Sequence, residues 1–198
     1  YDIEVRTINE LCNVDTGLST IPDKRRQNAL LRKMMSVAPH ERVPRHRLIR
    51  NLISLDDYDA ASTEIRVFDA DFRLDGPTTR YSIDLQVARA TKTAGILDED
   101  RIAILQKACE AAAAAASRFK DNKAVIGAYC EAALHLARLG GDRQFFDDAI
   151  RALRAAELKT GDRHITSMIS RFENMISRLD VEIPDGEDLD DVVPEIVD

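Results

Sequence analysis

The chain has 198 residues, of which 44% are hydrophobic, 32% are charged and only 5% are aromatic, and its formal net charge is −7. Because there is no tryptophan, a core has to be built from alanine, leucine and isoleucine, which favours closely spaced helices over a β-sandwich or barrel. No apolar run approaches the ~18 residues of a membrane span, and the first residues lack the basic and apolar regions of a signal peptide. We therefore expect a folded cytoplasmic protein.

Charge is distributed unevenly along the chain. Residues 24–50 contain nine lysines and arginines and a single acid, Glu41, whereas residues 180–198 contain nine acids and no base. We expect residues 1–43 to be an N-terminal helical and basic segment that caps the fold. We expect residues 180–198 to be an acidic tail and the domain between these two segments to be helical.

Helical periodicity divides residues 44–179 into segments, taken here in chain order. Apolar positions recur with the helical period, and Pro, Gly and Asp-rich stretches separate the segments. Gly95 is expected to end the third helix, and Asp98 to be the N-cap of the fourth. The predicted helices span residues 45–55, 58–74, 79–94, 98–119, 123–139, 143–159 and 163–179.

These helices repeat in pairs. The pairs begin near residues 45, 79 and 123, and the last helix begins near 163, so the period is 34 to 44 residues. This period is typical of helical-hairpin repeats. One hairpin does not bury its own apolar face, so hairpins stack into a solenoid whose ends need caps.

The sixth helix has a distinctive face. Ala149 and Ala156 are seven residues apart, about two turns, and share one side of the helix with Phe146 and Leu153. The two alanines allow a neighbouring backbone to come close, while the two larger side chains fill the space around them. This face predicts close packing against a partner helix.

The last helix pair resembles a tetratricopeptide repeat. The resemblance rests on the spacing of large and small residues, with Gly140 in place of the turn glycine of that family. In the first pair, Tyr58 and Ala61 stand in the same register. In the last pair, the residues that carry the resemblance are Tyr129, Ala132, Ala133 and Leu136 in the first helix and Phe146, Ala149, Leu153 and Ala156 in the second.

This resemblance implies a fold and a mode of action. The fold would be an all-α, right-handed α-solenoid of stacked helical hairpins over residues 44–179, with the helix 163–179 as its C-terminal cap. The first helix of each hairpin would line a concave groove. The function implied is that of a non-enzymatic scaffold or adaptor that binds a segment of another protein.

Charges placed on the first helices predict a basic groove for an acidic or amphipathic peptide. The acidic tail 187–198, with Val192, Val193, Ile196 and Val197 among its acids, is such a peptide. It either docks in a groove of its own or of a neighbouring molecule, or stays a solubilising tail. The predicted partner-binding residues are His46, Arg50, Arg89, Lys92 and Arg138.

The basic segment 24–35 has three interpretations. Its cations Arg25, Arg26, Arg32 and Lys33 lie apart from its leucines and methionines. They form a solvated face of a capping helix, contact an acidic protein partner, or contact the phosphates of nucleic acid. Aromatic residues for base stacking are absent from it.

A further alternative concerns the whole chain. Because the sequence does not begin with methionine, we expect it to be a fragment or a processed product. It would then be the C-terminal sensor or regulatory repeat region of a larger bacterial signalling or defence protein, in which the repeats restrain an attached effector.

The sequence predicts no catalytic, metal or cofactor site. None of the histidines stands in a metal-ligand spacing, and the glycines form no phosphate-binding loop. Cys109 and Cys130 fall among apolar helical residues and are expected to be buried thiols. The alanine run 111–116 is interpreted as a strong helix former that packs closely. We therefore do not expect an enzyme.

Overall fold

The computed structural model describes residues 23–182, which form eight α-helices and no β-strand. The predicted all-α class is confirmed, and the bounds of the last seven helices lie within three residues of the predicted ones. The helices are α1 Lys24–Val37, α2 Arg42–Ser54, α3 Tyr58–Phe72, α4 Gly76–Lys92, α5 Asp98–Arg118, α6 Lys123–Arg138, α7 Gln144–Thr160 and α8 Arg163–Glu182. Predictions for residues 1–22 and 183–198, which include most of the acidic tail, lie outside the described part.

The helices pack as a series of hairpins. Pairs α2–α3, α4–α5 and α6–α7 each pack side by side, and every first helix also packs on the first helix of the next hairpin. The second helices α5 and α7 are in contact as well. Helix α1 covers α2, and α8 packs on both α6 and α7 at the other end. This arrangement is a stacked array of helical hairpins, as predicted; its right-handedness stays a prediction.

The array contains two hydrophobic clusters that meet at α4. The smaller one joins α1 to α3 and is completed by Leu85 of α4. The larger one extends from Ile83 of α4 to Phe172 of α8 and contains the whole predicted face of α7. Neighbouring residues of α4 therefore serve different clusters, which binds the two parts of the array together.

Helix α6 lies at the centre of the larger cluster and is buried on nearly all sides. Its small residues include Ala132 and Ala133, both completely buried. Gly127 admits α8 so closely that a Cβ atom there would lie 2.7 Å from the Cε of Met168. On the facing helix α7, Ala149 and Ala156 are buried too, at 0% and 2% exposed. The close packing predicted for these two alanines is confirmed.

Local capping sets most helix starts. The side chains of Asp57, Asp75 and Asn122 each accept a hydrogen bond from a backbone N–H of the first turn of α3, α4 and α6, which satisfies donors that the helix leaves free. The prediction for α5 was wrong in detail. Leu97 is its N-cap, and Asp98 is its first residue; an acid there still interacts favourably with the helix dipole.

The predicted end of α4 also differs. The helix ends at Lys92 with Thr93 as its C-cap, two residues before Gly95. Gly95 has φ +78°, a left-handed conformation that glycine adopts without strain, so it turns the loop toward α5 instead of capping α4.

Enlarging a buried alanine of α7 tests the packing of the hairpins. We expect Ala149→Leu to lower the free energy of unfolding by about 1–3 kcal/mol, because α6 and α7 have no room for three more carbons. The same substitution at exposed Ala111 of α5 should change it by less than about 0.5 kcal/mol. Urea unfolding measures both, and an equal effect at the two sites would contradict the packing described.

Candidate functional site

The five predicted groove residues lie on three successive first helices, but they do not form one set of free cations. His46 and Arg50 are on α2, Arg89 and Lys92 are on α4, and Arg138 is on α6. Their surroundings divide them into three groups: one packed side chain, two cations paired within the fold, and two exposed cations.

His46 packs at the junction of α2, α3 and α4. Its ring centroid lies 5.0 Å from that of Phe68 and 6.3 Å from that of Tyr81. Its Nε2 lies 3.1 Å from Oδ2 of Asp75, although without the alignment of a hydrogen bond. With only 18% of its side chain exposed, His46 holds helices together and offers little surface to a partner.

Arg89 and Lys92 are directed toward the turn between α2 and α3. The Arg89 guanidinium donates to Oδ1 of Asp59 at 2.9 Å and to the carbonyl oxygen of Tyr58 at 3.2 Å. The Lys92 ammonium lies 3.4 Å from Oδ1 of Asp56. A hydrogen bond from the Tyr58 hydroxyl, helped by Lys92, lowers the pKa of Asp56. Both cations are thus paired with exposed acids at the surface of the array.

Arg50 and Arg138 remain exposed, and neither forms an ion pair with another residue in the range 23–182. Between them on the first helices lie two acids, Asp84 of α4 and Glu131 of α6. Asp84 pairs with Arg80 at 3.2 Å, and Glu131 is exposed. The first-helix face therefore carries mixed charge.

Asp84 is the most perturbed acid on this face. Burial, together with the negative charge of Glu131, raises the pKa of Asp84 to about 6, and the neighbouring Arg80 only partly offsets this. Farther along α6, burial and the charge of Arg138 lower the pKa of His135. Near neutral pH, Asp84 with a pKa of about 6 is still mostly ionised, and the lowered pKa of His135 reduces the positive charge of that side chain. The face is therefore less positive than its arginines alone suggest.

The cations of α1 form a more continuous positive surface. Arg25, Arg26, Arg32 and Lys33 are all exposed, and the three arginines make no ion pair in the described part of the chain. Helix α1 packs directly against α2. Between them, the side-chain amide of Asn51 donates a hydrogen bond to Oδ1 of Asn28 at 3.0 Å. We call Arg25, Arg26, Arg32, Lys33 and the adjacent Arg50 the cationic surface.

A cleft of about 360 Å³ opens between the second helices α5 and α7. Its walls are small side chains, Ala113 and Ala116 on α5 and Ala152 and Ala155 on α7. Tyr129 of α6 also lines the cleft. We call it the alanine cleft. Two of its wall residues belong to the alanine run 111–116, for which helix formation and close packing were the preferred interpretation.

Some charged and polar groups at the alanine cleft have a hydrogen-bond or ion-pair partner in the described chain, and others do not. The Tyr129 hydroxyl is buried and has no hydrogen-bond partner in the described chain; burial, followed by the charge of Asp148, raises the pKa of this phenol. Lys120 is exposed at the edge and forms no ion pair among residues 23–182. Asp148, also at the edge, pairs with Arg151 and accepts a hydrogen bond from Gln144.

The thiols and possible metal ligands give no sign of a reactive centre. Cys109 and Cys130 are both buried and unoxidised, as predicted, and burial raises the pKa of Cys109 to about 12, which keeps it protonated. Within residues 23–182, no group of three or more His, Cys, Asp or Glu side chains is arranged so that it could hold a metal ion. Over the same range, none of the helices has the length and apolar character needed to cross a bilayer.

The sequence matches no protein-family model, and neither a curated protein nor a solved structure shows significant similarity to it. The resemblance to tetratricopeptide repeats therefore stays an expectation based on the residues quoted above.

Replacing Asp84 tests the electrostatics of the first-helix face. A folded-state pKa near 6 lies above the ordinary value of 3.8, so the protonated acid is favoured in the folded state. Its stabilising contribution is full below about pH 4 and is lost as the pH rises through about 6. We expect Asp84→Asn to raise the free energy of unfolding by about 1–2 kcal/mol near pH ~7.5.

The gain from Asp84→Asn should disappear near pH ~3, below the ordinary value of 3.8, where Asp84 is protonated in both states. The control is Glu110→Gln on exposed Glu110 of α5, for which we expect no pH-dependent difference. Thermal unfolding across this pH range measures both variants. A destabilised Asp84→Asn variant near neutral pH would mean that the Arg80 ion pair outweighs burial.

Proposed function

We propose that this protein is a non-enzymatic protein-interaction module built from helical repeats, and that an acidic segment of its partner binds the cationic surface of α1 and α2. The observation that carries the proposal is that Arg25, Arg26 and Arg32 project from α1 without an ion-pair partner inside the described fold. Cations left unpaired on a rigid helical surface are available to a carboxylate-rich ligand.

Charge accounting within the fold favours this surface over the groove first predicted. Arg89 and Lys92 are held by Asp59 and Asp56, so a ligand would have to displace those acids. Arg50 belongs to α2, the helix that packs against α1, and is counted with the cationic surface, while Arg138 is on α6. The resemblance to tetratricopeptide repeats supports a peptide ligand over a small molecule.

Nucleic acid is the second candidate for the same surface. Arg25 and Arg32 are seven residues apart on one helix, so their backbone positions are about 10 Å apart. That separation suits contacts to more than one phosphate of a duplex. Residues 24–50 contain no Phe, Tyr or Trp, so stacking on single-stranded bases has little support, and an acidic protein segment remains the preferred ligand.

Reversing the charges of α1 tests the proposal. The probes are a glutamate-rich synthetic peptide with interspersed valines and a mixed-sequence DNA duplex, each labelled for fluorescence anisotropy. We expect the full chain to bind the peptide. The affinity of the triple variant Arg25→Glu, Arg26→Glu, Arg32→Glu for the peptide should be at least about 10-fold lower.

The matched control reverses three exposed arginines elsewhere, Arg66 on α3 and Arg171 and Arg178 on α8, with an expected change below about twofold. If both triple variants weakened peptide binding equally, the effect would come from net charge alone, which would contradict binding at a specific surface. Tighter binding of the duplex than of the peptide, with a steep loss in salt, would replace the protein partner by nucleic acid.

A further inference from the structure

The alanine cleft combines small apolar walls with one buried polar group that has no partner among the described residues. Ala113 and Ala116 face Ala152 and Ala155 across it, and a volume of about 360 Å³ accommodates a few aliphatic side chains. Tyr129 is only 2% exposed, and its hydroxyl has no partner. A buried hydroxyl without a hydrogen bond costs free energy, so an acceptor brought into the cleft would remove that cost.

The unsatisfied groups define the chemistry of the ligand. The Tyr129 hydroxyl is protonated and can donate to a carbonyl oxygen, and Lys120 at the edge can pair with a carboxylate. Asp148 already pairs with Arg151, so a cationic group on the ligand is not needed to neutralise it. The ligand that fits is an extended segment with small branched aliphatic side chains and a nearby acid.

We propose that this ligand is the C-terminal segment 190–198 of the same molecule, whose sequence is DDVVPEIVD. Val192, Val193 and Ile196 supply branched aliphatic side chains, and the acids beside them supply a partner for Lys120. Pro194 favours an extended conformation in the residue before it. A backbone carbonyl of this segment accepts the hydrogen bond of Tyr129.

The segment can reach the cleft because of the direction of α8. Arg154 of α7 pairs with Glu173 of α8, and Glu157 of α7 accepts a hydrogen bond from Thr166 of α8. The two helices therefore run antiparallel, and α8 ends near the start of α7, the end of the cleft where Asp148 lies. About ten residues separate the end of α8 from Val192, and they span up to ~33 Å, well beyond one helix diameter of ~10 Å.

The cationic surface of α1 is the competing location for an acidic segment, and salt separates the two. Attraction to exposed arginines is screened by concentrated salt, whereas burial of valines between alanines is not. Docking in the alanine cleft therefore persists in about 0.5 M NaCl, and docking on α1 does not.

A disulfide between the segment and a wall of the cleft tests the proposal in the full chain. Cys12→Ser removes the cysteine that lies outside the described residues, while Cys109 and Cys130 are buried. Val193→Cys is combined with Ala113→Cys in the cleft or, as the matched control, with Ala111→Cys. Ala111 belongs to the same alanine run and is exposed, but it does not line the cleft.

We expect the Ala113→Cys pair to oxidise within the monomer about tenfold faster than the control pair, because docking raises the effective concentration of the two thiols. The preference should persist in about 0.5 M NaCl. It should fall severalfold with Tyr129→Phe, which keeps the ring and removes the hydroxyl, and disappear with Ile196→Asp.

Equal rates for the two pairs would overturn the proposal. So would a preference that vanishes in salt or with Arg25→Glu, Arg26→Glu, Arg32→Glu, since the segment would then lie on the cationic surface. A disulfide formed between two molecules instead of within one would also contradict docking in the same chain.

Discussion

Close approach of α6 to its neighbours is the constraint on which the other features of the array depend. Most of its sides are buried, and small residues on it and on α7 bring backbones together without large aromatic side chains. In a chain with only 5% aromatic residues, contact area comes from many short distances between helices. Since α6 contacts α4, α5, α7 and α8, its position fixes those of both neighbouring hairpins.

Ion pairs at the turns follow from this stacking. Arg89 and Lys92 reach acids at the start of α3, and Lys123 and Lys159 pair with Asp162 and Asp121 between the following hairpins. The partners are 30 to 39 residues apart, about one repeat. Exposed pairs of this kind add little stability individually. They do not involve Arg25, Arg26 and Arg32 of α1, where we place the partner.

The hairpins could be predicted from the sequence because their signals are local. Apolar periodicity and turn residues fix the helices, and the face of Phe146, Ala149, Leu153 and Ala156 indicates its own burial. Only the details of single caps, at Gly95 and Asp98, were predicted wrongly. Local patterns suffice for these elements because each depends on residues within a few turns of one another.

The surface could not be predicted as well, because it depends on residues about a repeat apart. Helical position places Arg89 and Lys92 on a first helix, but their direction toward Asp59 and Asp56 follows from how two hairpins stack. The alanine cleft was missed for the same reason. The run 111–116 was visible, yet only the spacing of α5 and α7 reveals that part of it borders open space above Tyr129.

Native-state hydrogen exchange on the full chain tests the central role of α6 most directly. Because α6 is enclosed by four helices, its amides should open only with global unfolding and exchange most slowly. The amides of α1 and α8, which close the two ends of the array, should exchange at least ~100-fold faster. Exchange from α6 as fast as from α1 and α8 would contradict the account.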